Sequence, residues 1–412
     1  TAACSTTKHL PEEELLYTGT PSPQITGYNP EDEGEATLEE VKGALNVAPN
    51  NSFFGHPNFR IPFPLGLWVY NGFERYEKGI GKWIFKKLAA DPIYISTVNP
   101  ETRTKIASNL LRENGFFQGN VTVKVDTAKN PKKAKLRYTI YTGQRYKLDS
   151  ISYVGFSKKA DSLIQKTYDK RLLKKEEAFS VNTLNAERDR LVELFRNNGY
   201  YFYRSDFITF LADTLMHPGY VNLKVVQKQN IPEEGLRTYY IGKTRINLIG
   251  YNGEQPNDSL NFHNFTIGYA GNKPGIRYGV LRRRFLYKSG EIYSQTRQNY
   301  TQQALSRLGV FKFNDFKYTP RPGKDKLDIT VNAMFDLPYD SELELNITTK
   351  STKQTGPGAK FNLARKNFRR MGASLNLELK GSYEWQTSST VDGESSVMNS
   401  YELGTALSLN FP

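Results

Sequence analysis

The sequence predicts an α+β fold in which three copies of a strand-helix-helix-strand-strand module lead into the first antiparallel strands of a transmembrane β-barrel. Three observations carry this. A helix-ending glycine turn recurs as Arg112-Glu113-Asn114-Gly115-Phe116-Phe117, Arg196-Asn197-Asn198-Gly199-Tyr200-Tyr201 and Ser306-Arg307-Leu308-Gly309-Val310-Phe311. Two predicted strands follow each turn. After Asp336 the pattern changes to alternation of apolar and polar residues. Internal repetition is read before any single residue, and it makes the chain a row of small modules.

The second module, expected over residues 146–231, is the clearest copy. Tyr146 to Tyr153 alternates and stops at Gly155, which predicts a strand and a turn. A helix is expected from Asp161 to Leu173, with Leu163, Ile164, Tyr168 and Leu172 near one face. Ser180 is the expected N-cap of the main helix, whose inner residues are Leu184, Leu191, Leu194 and Phe195. Gly199 supplies the left-handed residue that ends it. Tyr203 to Leu211 and Tyr220 to Val226 are the closing strands.

The third module, residues 237–336, repeats the order. Thr244 to Gly250 is its first strand and Tyr278 to Tyr287 its first helix, and Glu291-Ile292-Tyr293-Ser294 matches Glu177-Ala178-Phe179-Ser180. Tyr300, Ala304 and Leu308 form the expected inner stripe of its second helix, before strands at Phe313 to Thr319 and Lys326 to Ala333. The first module, residues 13–145, has a helix capped by Asn99 with Pro100 at its first position, then strands at Val121 to Val125 and Leu136 to Tyr141. It carries an insertion at 49–91 that ends in a basic amphipathic helix, Ile80 to Leu88. Such a helix can lie on a membrane, but the default expectation is that its apolar stripe packs on its own domain.

Residues 337–412 supply the barrel expectation. Leu343, Leu345 and Ile347 alternate with Glu342, Glu344 and Asn346, and Leu375, Leu377 and Leu379 alternate with Asn376, Glu378 and Lys380. Phe361 and Leu363 add a shorter strand, and Tyr401 to Phe411 alternates again. An antiparallel sandwich gives the same alternation, but three preceding repeats favour a barrel with apolar residues to lipid and polar ones to the lumen. Four strands do not close one, since the smallest barrels have about eight, so a longer parent protein is expected.

Composition sets outer bounds. The 412 residues suit about three domains at roughly 150 residues each. A net charge of +14 favours anionic partners such as membrane headgroups or nucleic acid, and an excess of solubilising lysine explains it equally well. Cys4 is the sole cysteine, which excludes an internal disulfide and a thiolate zinc cluster. His9, His56, His217 and His263 are dispersed and lie in no metal or nucleophile motif, and Gly79-Ile80-Gly81 lacks the further glycine of a nucleotide loop. The expectation is therefore a protein that is not an enzyme and uses no cofactor or metal. Aromatics at strand periodicity look like core and lipid face, which argues against nucleic acid as the partner.

A nascent membrane strand carries amide and carbonyl groups that cannot enter lipid unpaired, and an exposed sheet edge can template it by backbone hydrogen bonding. The strand after each glycine turn is the expected edge. Phe207 and Ile208 mark it in the second module, and Phe313, Phe316 and Tyr318 in the third.

The ordered modules and the alternating strands resemble the POTRA modules and opening barrel strands of the BamA/TamA superfamily. Cys4-Ser5-Thr6-Thr7-Lys8, Leu10-Pro11-Glu12, Leu67-Trp68-Val69-Tyr70-Asn71 and Lys78-Gly79-Ile80-Gly81-Lys82-Trp83 are similar to the Bacteroidetes lipoprotein branch called TamL. The resemblance implies an outer-membrane protein with periplasmic modules, which inserts or translocates unfolded outer-membrane clients. It implies lipidation of Cys4, after the small Ala2 and Ala3, with residues 1–12 as a periplasm-facing tail. It also implies a lateral gate on the first barrel strand, at Leu343, Leu345 and Ile347. A TamA-like role implies a TamB-like periplasm-spanning partner, and the alternative, a BamA-like general insertase, implies assembly lipoproteins. A non-enzymatic protein binding anionic lipid or nucleic acid is the more distant alternative.

Overall fold

A computed structural model describes residues 7, 10–53, 56–60, 64–74, 76, 78–127, 130–349, 354–386 and 399–412. Cys4 lies outside the described residues. The fold class is the expected α+β. The chain divides into two bodies: the residues through Leu191 with Ser205–Gln229, and Val192–Arg204 with Asn230–Pro412.

In the first module, β1 (Leu16–Tyr17) and β2 (Gln24–Thr26) run parallel to the last strand, and together they act as one interrupted first strand. Helix α1 (Glu35–Leu45) had no counterpart in the sequence expectation. The insertion contributes α2 (Leu65–Phe73) and α3 (Gly79–Leu88). Helix α4 (Pro100–Glu113) starts as expected, the Asn99 side chain accepting from the Thr102 amide at 3.3 Å. Strands β3 (Asn120–Thr127) and β4 (Lys133–Tyr141) close the module as an antiparallel pair. Val41, Leu45, Leu111, Phe116, Leu136 and Ile140 are fully buried between helices and sheet, each worth about 1.5–3 kcal/mol of apolar transfer.

The second module has a three-stranded sheet. Strand β5 (Lys147–Val154) is followed by α5 (Lys158–Lys166) and α6 (Val181–Asn197), then β6 (Ile208–Asp213) and β7 (Tyr220–Gln227), in the order β5-β7-β6. Ser180 caps α6, accepting from the Thr183 amide. Two expectations change. Helix α5 stops at Lys166 and a single 3-10 turn follows, so Tyr168 and Leu172 are exposed while Ala160, Ile164 and Leu173 are buried. The strand expected from Tyr203 begins only at Ile208, because Tyr203 folds back onto Phe195 with ring centroids 4.7 Å apart and Ser205–Phe207 forms a 3-10 turn.

The third module holds β8 (Tyr240–Ile249), a hairpin of β9 (Asp258–Phe262) and β10 (Phe265–Tyr269), α7 (Tyr278–Arg284), α8 (Gln295–Ser306), β11 (Phe311–Pro320) and β12 (Lys326–Phe335). Its sheet runs β9-β10-β8-β12-β11. The hairpin had no counterpart in the sequence expectation. The stripe on α8 is also corrected: Tyr300 is 56% exposed, and Thr301, Leu305 and Leu308 face the core. The last four strands, β13 (Tyr339–Thr349), β14 (Gln354–Phe368), β15 (Ala373–Gln386) and β16 (Ser400–Asn410), form a separate antiparallel meander.

The glycine turns act as joints. Gly115 has φ +92°, its carbonyl accepts from the Tyr146 amide at 2.9 Å, and the Tyr146 carbonyl accepts from the Phe179 amide at 2.9 Å. Gly199, at φ +99°, repeats this: its carbonyl accepts from the Tyr239 amide at 2.8 Å, and the Tyr239 carbonyl accepts from the Tyr293 amide at 3.0 Å. A side chain has no room at either glycine, since a Cβ would lie 2.9 Å from the Phe179 oxygen at Gly115 and 2.9 Å from Ile292 Cγ1 at Gly199. The second aromatic of each turn locks the joint, Phe117 against Phe179 and Tyr201 against Tyr293, both pairs with centroids 4.9 Å apart. Arg145 clamps the first joint by donating to the carbonyls of Asn114, Asp32 and Glu33, and its burial lowers the guanidinium pKa.

Candidate strand-pairing edges and membrane face

Three of the expected strands lie at sheet edges: among the described residues β6, β11 and β13 each pair with one neighbour. In an antiparallel ladder alternate residues bond the partner and the residues between them point outward. One hydrogen bond to the neighbouring strand therefore fixes the phase of each edge. On β13, the Lys366 amide donates to the Pro338 carbonyl at 2.8 Å, so Asp340, Glu342, Glu344 and Asn346 bond β14. Leu343, Leu345 and Ile347 turn their backbone groups outward from the edge.

The same three residues carry the apolar face. Leu343 is 64% exposed, Leu345 74% and Ile347 79%. Leu343 stands opposite Phe361, which stands opposite Leu379, and Ser341, Leu363, Leu377 and Leu407 form the next row. On the reverse face, the Lys360 ammonium meets Glu378 at 3.1 Å and Lys380 pairs with Glu402. One face is thus greasy and exposed, and the other charged and cross-linked, which is the polarity a strand between lipid and a wet lumen needs.

On β11 the Arg321 amide donates to the Lys326 carbonyl at 2.8 Å, so Asp315, Lys317 and Thr319 bond β12. The amides of Phe316 and Tyr318 point outward. Pro320 shares that phase, so its missing donor costs the ladder nothing. The structure separates the predicted residues. Tyr318 is buried, its hydroxyl 2.9 Å from that of Tyr287, and burial pushes its pKa up. Phe316 is half-buried. Phe313 is 46% exposed, because the register shifts between Phe311 and Phe313 and it is Phe311 that packs, on Phe335.

On β6 the Lys228 amide donates to the Phe207 carbonyl at 2.9 Å. Phe207, expected as an edge residue, is therefore spent on the ladder and buried in the 3-10 turn, a correction to the sequence reading. Ile208, Phe210 and Ala212 turn their backbone outward, although the Ile208 side chain is core.

A fourth edge was missed by sequence reasoning. The first residues of β5 are covered, the Leu148 amide donating to the Glu177 carbonyl, but among the described residues Ser150 to Val154 pairs with β7 alone. The signal was the repeat itself: Thr244 to Leu248 of the third module occupies the same place and is covered by β10.

At the end of the third module, the Lys366 ammonium contacts Asp336 at 2.7 Å and holds that carboxyl below its usual pKa. Arg277, just before α7, meets Arg370 there, its amide donating to the Arg370 carbonyl at 3.0 Å. A cavity of about 580 Å³ beside them is lined by Arg277, Arg283, Arg284 and Phe411 and holds no acid-base pair. Among the described residues no three His, Cys, Asp or Glu side chains gather as a metal site, and no helix is long and apolar enough to cross a membrane.

No family model and no curated protein matches the chain. Solved structures do align with it. BamA from Haemophilus ducreyi lacking POTRA domains 1–3 aligns at 16% identity and a TM-score of 0.40, over 58% of this chain and 39% of that one. POTRA3–5 of Haemophilus influenzae BamA aligns at 12% identity and 0.35, over 79% of this chain and 99% of that one. CdiB from Acinetobacter baumannii aligns at 12% identity and 0.28, over 63% of this chain and 42% of that one.

Proposed function

We propose that this chain is part of an outer-membrane protein assembly or translocation factor. Its modules receive unfolded outer-membrane clients and its first barrel strand templates their insertion by β-augmentation. The observation that carries the reading is the coincidence on β13: Leu343, Leu345 and Ile347 offer unpaired backbone sideways and apolar side chains outward. An incoming membrane strand needs both at once, because lipid satisfies no amide. In this reading residues 337–412 open an outer-membrane barrel, the modules at 13–145, 146–231 and 237–336 are periplasmic POTRA modules, and Cys4 is acylated. The role is TamA-like, with a TamB-like protein as partner.

The test is Leu345→Pro in the full-length protein, with Leu345→Ala as control. Proline removes one outward donor and spares the bonds to β14. Client assembly should fall in the proline variant and persist in the alanine variant. Equal assembly in both sinks the reading. Affinity purification that returns assembly lipoproteins in place of a TamB-like protein replaces the TamA-like role with the BamA-like one.

A further inference from the structure

The α2–α3 pair of the first module leaves an apolar flank uncovered. The two helices close on each other through the Ala90 amide donating to the Gly66 carbonyl at 3.0 Å, and through Tyr70 against Phe85 with centroids 5.6 Å apart. That contact takes one side of α3, where Ile84 and Phe85 are half-buried. The rest of the apolar arc stays out: Ile80 is 79% exposed, Trp83 62% and Leu88 59%. The expectation that this stripe packs on its own domain is thus met on one side only.

At about 100° per residue, Ile80, Trp83 and Lys87 share a face, with Lys82 and Lys86 beside Trp83. The ten residues of α3 include three lysines and no carboxylate. An exposed arc running tryptophan, isoleucine, leucine, with one ammonium group within it and two beyond its tryptophan side, matches an anionic bilayer surface: rings enter the headgroup boundary and lysines snorkel to phosphate. A protein partner of ordinary surface composition matches only the apolar half.

A second observation places this flank near the start of the chain. Leu10 is buried against Leu16 and Leu67, and Leu67 belongs to α2. Cys4 is six residues before Leu10, a reach of about 20 Å when extended.

We propose that α3 is a membrane-docking helix that seats Ile80, Trp83 and Leu88 in an anionic lipid surface, with Lys82, Lys86 and Lys87 on its phosphates. The site stands without acylation of Cys4; an anchor there would raise its local concentration at the same surface.

The test uses the full chain with Cys4→Ser, so that the outcome is independent of lipidation. Of the three tryptophans, Trp68 and Trp385 are changed to Phe, leaving Trp83 as the only reporter. Its emission should shift to the blue with mixed phosphatidylglycerol–phosphatidylcholine vesicles, be quenched by brominated acyl chains, and stay unshifted with pure phosphatidylcholine. Lys82→Gln, Lys86→Gln and Lys87→Gln together should lower partition read at Trp83 by on the order of a hundredfold, about fivefold for each lysine. A companion chain with Trp385 as sole reporter controls for insertion of the strands and should respond to vesicles with or without the three lysines. The proposal is overturned by Trp83 emission unchanged while Trp385 responds, by an equal shift with neutral vesicles, or by a concentration-dependent shift without vesicles, which marks self-association.

Discussion

The second and third modules are built on one plan and differ at one edge. In both, the start of the first strand is covered by its own module: the Leu148 amide donates to the Glu177 carbonyl at 2.8 Å, and the Ile241 amide to the Glu291 carbonyl at 2.8 Å. Beyond that point they part. Thr244 to Leu248 is flanked by β10, whereas Ser150 to Val154 has no strand on its outer side among the described residues. Among the described residues the third module therefore keeps its first strand interior and has its edges at β9 and β11, whereas the second exposes its first strand, β5, beside β6. The hairpin moves that edge from the module's first strand out to β9, at the cost of extra chain.

The cores differ at one matched position as well. Glu187 on α6 is fully buried, accepting from the Leu172 amide, the Tyr153 hydroxyl and both Nε and Nη2 of Arg190. Its counterpart on α8 is Thr301, whose hydroxyl accepts from the Leu286 amide at 3.2 Å. Each caps the same turn of chain, one with a charge network and one with a hydroxyl.

The largest expected effect breaks that match. Glu187→Ala should cost about 3–5 kcal/mol by leaving Arg190 uncompensated, against about 1–2 kcal/mol for Thr301→Ala. Urea unfolding of the two variants checks the ratio, and equal losses would mean the network adds nothing beyond the cap. Next comes the hairpin: Ile267 on β10 is fully buried, and Ile267→Ala should cost about 2–4 kcal/mol, while Leu211→Ala on exposed β6 should change stability by less than about 0.5 kcal/mol. A negligible loss at Ile267 would reduce the hairpin to decoration. Smaller still is the edge itself. Outward amides within Ser150 to Val154 should exchange with deuterium about fivefold or more faster than their matches in Thr244 to Leu248, the worth of one hydrogen bond.

The smallest effect lies where the third module meets the meander. Lys366 depresses the Asp336 pKa, so the stabilisation is complete above the unfolded value near about 3.9 and is lost as pH falls through the lower folded value. Carboxyl NMR should find Asp336 titrating below that reference, and Lys366→Met should raise it toward the reference, the Leu337 amide bond to the carboxylate remaining.

Much of this was legible in the sequence where a backbone constraint leaves a local mark. Gly115, Gly199 and Gly309 all have positive φ, so their turns could be read residue by residue. The alternation of Leu343, Leu345 and Ile347 gave the β13 face, since a period of two has one structural meaning. The hairpin β9–β10 was hidden because His263 and Asn264 join its strands in place of the usual Asn-Gly, with His263 itself at φ +48°. The inner stripe of α8 was misread because Thr301, a polar residue, fills the core position and Tyr300 does not. Edge status was only half legible. It depends on which strand of another segment lies alongside, and Phe207 lost its assignment to a bond from Lys228, twenty-one residues away.

The joints bear on how the array unfolds. Tyr146 is spliced into both sides of its joint, donating to Gly115 and accepting from Phe179, and Tyr239 does the same between Gly199 and Tyr293. Melting the segment on one side strips a hydrogen bond and a ring contact from the other. Neighbour coupling of this kind gives a one-dimensional cooperative lattice, in which a defect spreads outward from the link where it starts. A cut placed at a glycine turn then destabilises the piece that keeps the tyrosine, while a cut placed inside a surface loop leaves every link intact.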